Sequence, residues 1–197
     1  EISNLDSANN IVQEEDTLVS FPRDYSAEKD FLKYFSKVED STALVKTKKY
    51  ETALKSLKSF RKKEDEFQGV KFYYDKRTPN YTNINFIYPY FVESKSTYSL
   101  RLRMQYTAND WLFIDNTTFL IDGSKYEIAG DFKRDNNSTI WEWLDIRVDV
   151  GERYILDKLA NSKKAKVRYS GAKYYKDRVI TSKEKSIIRK TLDIYDA

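Results

Sequence analysis

The sequence predicts an α+β fold: a strongly bent antiparallel sheet, or a small β-sandwich, packed with N-terminal and C-terminal helices. The hydrophobic period changes from helical to alternating after Gly69. Most of the strand-like segments that follow are joined by connections too short for a parallel crossover. We expect three parts: a flexible lead or tether over residues 1–25, a helical segment over 26–68, and an antiparallel β-rich domain with two short helices over 69–197.

The helical segment is predicted to contain two helices. Ser26 can cap the first, whose apolar stripe consists of Phe31, Leu32, Phe35 and Val38. The second runs from about Ser41 to Phe67 and is amphipathic, with lysines on the side opposite its apolar positions. Such a stripe can bind a membrane surface or a partner helix, but packing on the protein's own sheet is the more common use.

Alternation of apolar and polar residues predicts the strands. It marks Val70 to Tyr74, Thr82 to Val92 and Thr97 to Tyr106. Pro89 indicates that the second of these is an edge strand or carries a bulge. The third has arginines on one face, which is typical of a strand with the core on one side and water on the other.

The second half of the chain carries clear turn and cap signals. Asp122-Gly123 separates two apolar runs, which indicates a tight hairpin because the turn needs positive φ. A polar loop is expected over 131–138, a strand over 139–150 and a short helix after Gly151. Two strands, 165–169 and 174–180, should follow. Thr181 and Glu184 then form a capping box that opens a terminal helix.

Composition restricts the chemistry. The chain has no cysteine and no histidine, which excludes disulfides, cysteine zinc sites, and serine–histidine or cysteine–histidine catalysis. Carboxylate, lysine or tyrosine chemistry, or an oxygen-ligated metal, remains. With 35 Lys and Arg against 31 Asp and Glu, the charge is too balanced for a dedicated nucleic-acid binder. We expect no cofactor, and no apolar run is long enough for a membrane span.

The strongest candidate site is the strand that contains Trp-Glu-Trp. Two tryptophans and a charged pair alternate with aliphatic residues and should share its outer face: Trp141, Trp143, Asp145 and Arg147. Such a face can stack a sugar ring, a base or a peptide. The alternatives are that helices cover this face or that a bulge turns the tryptophans to the core side. Glu142 would point inward and need a partner, for which Arg101 or Arg103 is expected.

Two weaker candidates use other chemistry. Paired carboxylates can hydrolyse glycosides, and aspartates are frequent: Asp115, Asp122, Asp131, Asp135, Asp145 and Asp149. Their spacing matches no metal-binding motif. Tyrosines interleaved with Lys71, Lys76 and Arg77 can stack on single-stranded nucleic acid, although lysines on the wet side of a strand explain the pattern more simply.

Several ordered pieces in the second half carry a resemblance to a known group. They are Leu100-Arg-Leu-Arg103, Asp110-Trp-Leu-Phe-Ile114, Asp122-Gly123, Trp141-Glu-Trp143, Ala160-Asn-Ser-Lys163, Ala165-Lys-Val-Arg168 and Thr181 to Tyr195. Together they resemble a C-terminal domain of uncharacterised bacterial secreted proteins and lipoproteins. The resemblance covers about residues 99–197 and implies an extracytoplasmic address and a non-enzymatic role. A lipid anchor would then lie on a removed leader.

The expected function is therefore a non-enzymatic cell-envelope or secreted binding protein that meets a protein or glycan partner. Two alternatives remain open: a carboxylate-based hydrolase of polysaccharide, and a prophage or immunity-type interaction protein.

Overall fold

The computed structural model describes residues 45–95 and 97–197, which form three helices and ten strands. Helix α1 occupies residues 45–57, α2 is Val150–Asn161 and α3 is Ser182–Tyr195. The strands are β1 (Phe60–Asp65), β2 (Val70–Asp75), β3 (Phe86–Ser94), β4 (Thr97–Ala108), β5 (Ile114–Ile121), β6 (Ser124–Ala129), β7 (Lys133–Asn136), β8 (Ile140–Arg147), β9 (Ala165–Gly171) and β10 (Tyr175–Val179). The predicted lead and the predicted helix over Phe31 to Val38 lie outside the described residues.

The strands form two antiparallel sheets, which confirms the predicted α+β class. The six-stranded sheet has the order β1-β2-β3-β4-β8-β7, and the four-stranded sheet has the order β10-β9-β5-β6. One apolar core contains buried residues from both sheets and from α2 and α3, among them Leu102, Leu144, Phe119, Leu156 and Leu192. Their burial explains why β4, β5, β8 and β9 all alternate so regularly.

The predicted helix over Ser41 to Phe67 is wrong in its second half. Helix α1 ends at residue 57, and β1 begins at Phe60 and pairs with β2 through the turn at Gly69. Gly69 has a φ of 63°, a left-handed conformation that suits a hairpin turn. Phe60 is buried in the core as a strand residue. The prediction that Phe60 is a core position is therefore correct, but its assignment to a helix is wrong.

Pro89 lies in an interior strand, but at a place where that strand is locally an edge. Strand β2 pairs only with Phe91 to Ser94 of β3, whereas β4 pairs with all of β3. Beyond the end of β2, the amide of Ile87 donates to the Glu184 carboxylate of α3 (2.8 Å). Residues 87 and 89 share the same backbone orientation, so the missing amide of Pro89 falls on the side that no strand occupies.

The Asp122-Gly123 hairpin between β5 and β6 is confirmed. Both residues have positive φ, 46° and 94°, as a two-residue hairpin turn of this kind requires. The Asp122 carboxylate also accepts hydrogen bonds from the amides of Lys163 and Lys164, at 3.1 and 2.7 Å. These bonds lower the pKa of Asp122 and tie the hairpin to the chain entering β9.

The C-terminal helices are confirmed, and one loop is corrected. Ile155, Leu156 and Leu159 are buried on α2, and α3 begins with the predicted capping box of Thr181 and Glu184. The polar loop expected over 131–138 instead contains β7, a fully exposed edge strand paired with β8. Its four residues, Lys-Arg-Asp-Asn, are exposed on both faces of the strand. The sequence therefore shows no alternation of apolar and polar residues that would predict a strand here.

Candidate functional site

The four predicted site residues lie together on the outer face of the six-stranded sheet. Their register on β8 is as expected, because Ile140, Glu142 and Leu144 are buried on the opposite side. Trp141 and Trp143 are half-buried, Asp145 is partly buried and Arg147 is exposed. The tryptophans are therefore neither core residues nor free surface residues, and each leaves part of its ring open to a partner.

Asp145 is the centre of a hydrogen-bonded cluster that spans three strands. Arg101 on β4 donates from Nε at 2.8 Å, and Arg103 donates from Nε at 2.9 Å. The hydroxyl of Tyr90 on β3 donates at 2.9 Å. Since Arg103 faces Asp145 directly in the β4–β8 register, the sheet itself fixes this geometry.

The electrostatics of this cluster keep its donors protonated. Burial lowers the pKa of Arg103 and the charge of Asp145 raises it, and the net direction is upward. Burial and the Asp145 charge both raise the pKa of Tyr90. Two guanidinium groups therefore share one carboxylate, and the cluster carries a net positive charge.

Gln105 is a member of this face that the sequence did not single out. It lies between Phe86 on β3 and Trp143 on β8 in the strand register and is fully buried. Among the residues that the structure describes, neither its amide nitrogen nor its carbonyl oxygen has a hydrogen-bond partner. The expectation that this side of β4 faces water is therefore wrong at Gln105, where a polar group beside Trp143 is left without a partner.

Glu142 is buried as predicted, but its partners are not Arg101 or Arg103. Its carboxylate accepts hydrogen bonds from the backbone amides of three consecutive residues, Leu112, Phe113 and Ile114, at 2.9, 2.9 and 2.8 Å. Arg134 on β7 donates to the same carboxylate at 3.1 Å. Glu142 therefore fixes the β4–β5 loop, whereas the arginines face the other side of the sheet.

The remaining aspartates do not assemble into one site. Asp115 is on β5, Asp122 is in a hairpin turn and Asp149 caps α2. Asp131 precedes β7 and Asp135 lies within it, both exposed. Residues 45–95 and 97–197 contain no group of three or more acidic residues placed to hold a metal ion.

The tyrosine-rich segment is divided between surface and interior. Tyr88 and Tyr90 are buried at 2% and 3% exposure, whereas Tyr81 is 73% exposed. Tyr73 is half-buried and donates to Glu93 at 2.6 Å. Because Tyr88 and Tyr90 are buried and Tyr73 stacks on Phe91, these tyrosines do not form a continuous exposed surface on which bases could stack.

Comparison with models of known families, with curated proteins and with solved structures returned no match. Over the described residues, none of the helices combines the length and the apolar character that crossing a bilayer requires.

Proposed function

We propose that this chain is an extracytoplasmic binding protein of a bacterial envelope, and that the outer face of its six-stranded sheet binds a partner protein. One observation supports this proposal most directly. Two half-buried tryptophans, Trp141 and Trp143, lie on a central strand beside an arginine cluster. Tryptophan, tyrosine and arginine are the residue types that dominate protein-binding hot spots.

The charge of the face favours an acidic partner. Arg101, Arg103 and Arg147 share the face with a single aspartate, Asp145, which two of them already engage. Arg147 is exposed and lies opposite Arg101 in the strand register, so like charges adjoin there. A carboxylate from a partner would relieve this repulsion and form a charge-assisted contact.

Rigidity also favours binding. Asp145, one of the three carboxylates that the hydrolase alternative would use with Asp115 and Asp149, is held by Arg101, Arg103 and Tyr90 in a fixed network. Side chains fixed before association lose little conformational entropy when a partner docks.

The face is tested by charge reversal at its rim. We expect Arg147→Glu to weaken capture of the partner by at least about tenfold while unfolding stability stays within about 0.5 kcal/mol of wild type. The matched control is Lys166→Glu, which reverses an exposed charge on the four-stranded sheet. The measurement is quantitative crosslinking of the purified protein to an envelope extract, with urea unfolding of each variant.

We expect wild type and Lys166→Glu to capture the same envelope protein to the same extent. We expect Arg147→Glu and Trp141→Ala to lose it. If Arg147→Glu captures everything that Lys166→Glu does, the outer face is not the binding surface. Retention of purified wall glycan instead of a protein, with the same dependence on Trp141, would make the partner a glycan.

The extracytoplasmic address rests on the resemblance of residues 99–197 to domains of secreted proteins and lipoproteins. We expect the full-length gene product to fractionate with the envelope or the medium, and a larger precursor to accumulate when signal-peptide processing is inhibited. The measurement is immunoblotting of host fractions. A product found only in the cytoplasm would refute the address and bring the immunity-type alternative forward.

A further inference from the structure

A cleft lies where the β4–β5 loop meets the β9–β10 hairpin. This cleft has a volume of about 740 Å³ and shares no residue with the outer sheet face. Its walls combine aromatic rings with hydrogen-bonding groups: Tyr106, Asn109, Asp110, Trp111, Tyr174 and Lys176. This size and this mixture of groups are typical of a small-ligand site.

The loop that forms one wall of the cleft is held rigidly from below. Glu142 binds the amides of residues 112 to 114, and Phe113 adopts a left-handed φ of 54° that is unfavourable for a non-glycine residue. A Cβ placed on Gly171 would lie 1.8 Å from the carbonyl oxygen of Leu112, so only glycine lets β9 approach the loop this closely. Backbone strain that the surrounding structure enforces is common at functional sites.

Two aromatic residues of the cleft, Tyr174 and Trp111, are accessible to a ligand. Tyr174 is 72% exposed on the hairpin. Trp111 on the opposite wall is half-buried and stacks on Phe113, with 5.8 Å between ring centroids. The fixed loop therefore presents one supported indole ring, and the hairpin presents a tyrosine ring across from it.

Tyr106 adds a polar group at the base of the cleft. It is only 6% exposed, and it lines the cleft. Burial, and then the charges of Glu142 and Asp110, raise its pKa, so the hydroxyl keeps its proton. A protonated phenol in this position can donate a hydrogen bond to a ligand oxygen that enters the cleft.

We propose that this cleft binds a neutral saccharide, with a sugar ring stacked on Trp111 or Tyr174 and its hydroxyl groups bonded by Tyr106, Asn109 and Asp110. The C–H face of a sugar ring fits an aromatic surface, and its hydroxyl groups fit neutral donors and carboxylate acceptors. A single-stranded nucleic acid fits less well, because Lys176 is the sole cation among the lining residues and Asp110 opposes it.

The test uses intrinsic fluorescence with Trp111 as the reporter. The chain has three tryptophans, so a Trp141→Phe/Trp143→Phe variant retains Trp111 alone. It is titrated with a panel of neutral trisaccharides, namely the N-acetylglucosamine trimer, cellotriose, maltotriose and mannotriose. We expect at least one to cause a saturable change with a dissociation constant of about 1 mM or tighter, and calorimetry of the wild-type protein to give the same constant.

Two variants locate the site. Tyr174→Ala should raise the dissociation constant of the sugar that binds about tenfold, as expected for loss of an aromatic contact. Tyr106→Phe keeps the ring but removes the hydroxyl, so it should raise the dissociation constant of the same sugar about three- to tenfold. The control is Tyr81→Ala, because Tyr81 is as exposed as Tyr174 (73% and 72%) but does not line the cleft.

Three outcomes would overturn the proposal. One is the absence of binding by every sugar of the panel up to about 10 mM, ten times the expected dissociation constant. Another is unchanged affinity in Tyr174→Ala, which would place the sugar elsewhere. The third is binding of oligothymidylate at Trp111 that no sugar of the panel displaces. If the affinity of that binding also fell steeply as the salt concentration rose, the cleft would be a nucleic-acid site.

Discussion

Replacement of Glu184 by alanine is expected to lower the free energy of unfolding by about 3–5 kcal/mol, the range for breaking a buried ion pair from one side. Its carboxylate is fully buried and forms a two-pronged pair with Arg178 at 2.8 and 2.9 Å. It also accepts from the amides of Ile87 and Thr181. Alanine would leave a partly buried guanidinium without its carboxylate partner and two amides without their acceptor. Urea unfolding of both proteins measures the loss.

The same carboxylate predicts a pH dependence. Burial would raise the pKa of Glu184, but the bonds and charge of Arg178 and the bonds from Thr181 outweigh burial and lower it below 4.5. The unfolded chain therefore binds this proton more readily than the folded one. The stabilisation is complete above pH about 4.5 and disappears as the pH falls through the lower folded-state pKa.

Glu184→Gln should consequently be less stable than wild type at pH 7 and should approach it under acid conditions. Glu127→Gln, which changes an exposed carboxylate on β6, is the control and should differ from wild type by no more than about 0.5 kcal/mol. A constant difference between wild type and Glu184→Gln from pH 7 to pH 3 would contradict the assignment.

Glu142→Gln should cost about 3–5 kcal/mol, because a neutral amide cannot accept from all of the donors that surround this carboxylate. Three backbone amides and Arg134 converge on it. An amide side chain would direct its own N–H₂ group toward at least one of these donors. Urea unfolding measures the loss, with Glu127→Gln again as the control.

The position of Glu142 adds a second readout. Since its carboxylate fixes the loop that carries Trp111, the tryptophan emission of the native state should shift to longer wavelength in Glu142→Gln when Trp111 is the only tryptophan. A stable Glu142→Gln protein with unchanged emission would show that the loop holds its conformation without this carboxylate.

Local patterns predicted those parts of the fold whose burial alternates along the chain. Strand β4 was predicted because Leu100, Leu102 and Met104 all face one core, and the turn at Asp122-Gly123 was predicted because its backbone needs those residue types. Strands β1 and β7 were missed for the opposite reason. Their charged residues bury little, and only pairing with β2 and β8 makes them strands.

The site was predicted in part. The alternation on β8 correctly placed Trp141 and Trp143 opposite Glu142. The partner of Glu142 could not be predicted, because it is a set of backbone amides created by the loop conformation and leaves no residue signature. The role of Gln105 was missed for a related reason, since its burial depends on Phe86 and Trp143 from neighbouring strands.

The edges of both sheets discourage association between copies of the chain. A strand with free backbone groups invites pairing with another molecule, yet each of the outermost strands carries at least two charged side chains: β1, β7, β10 and β6. Where β3 extends past β2, Pro89 offers no donor and the Ile87 amide is already bonded to Glu184. A foreign strand that docked at any of these positions would have to bury charge or lose hydrogen bonds, so these edges resist aggregation.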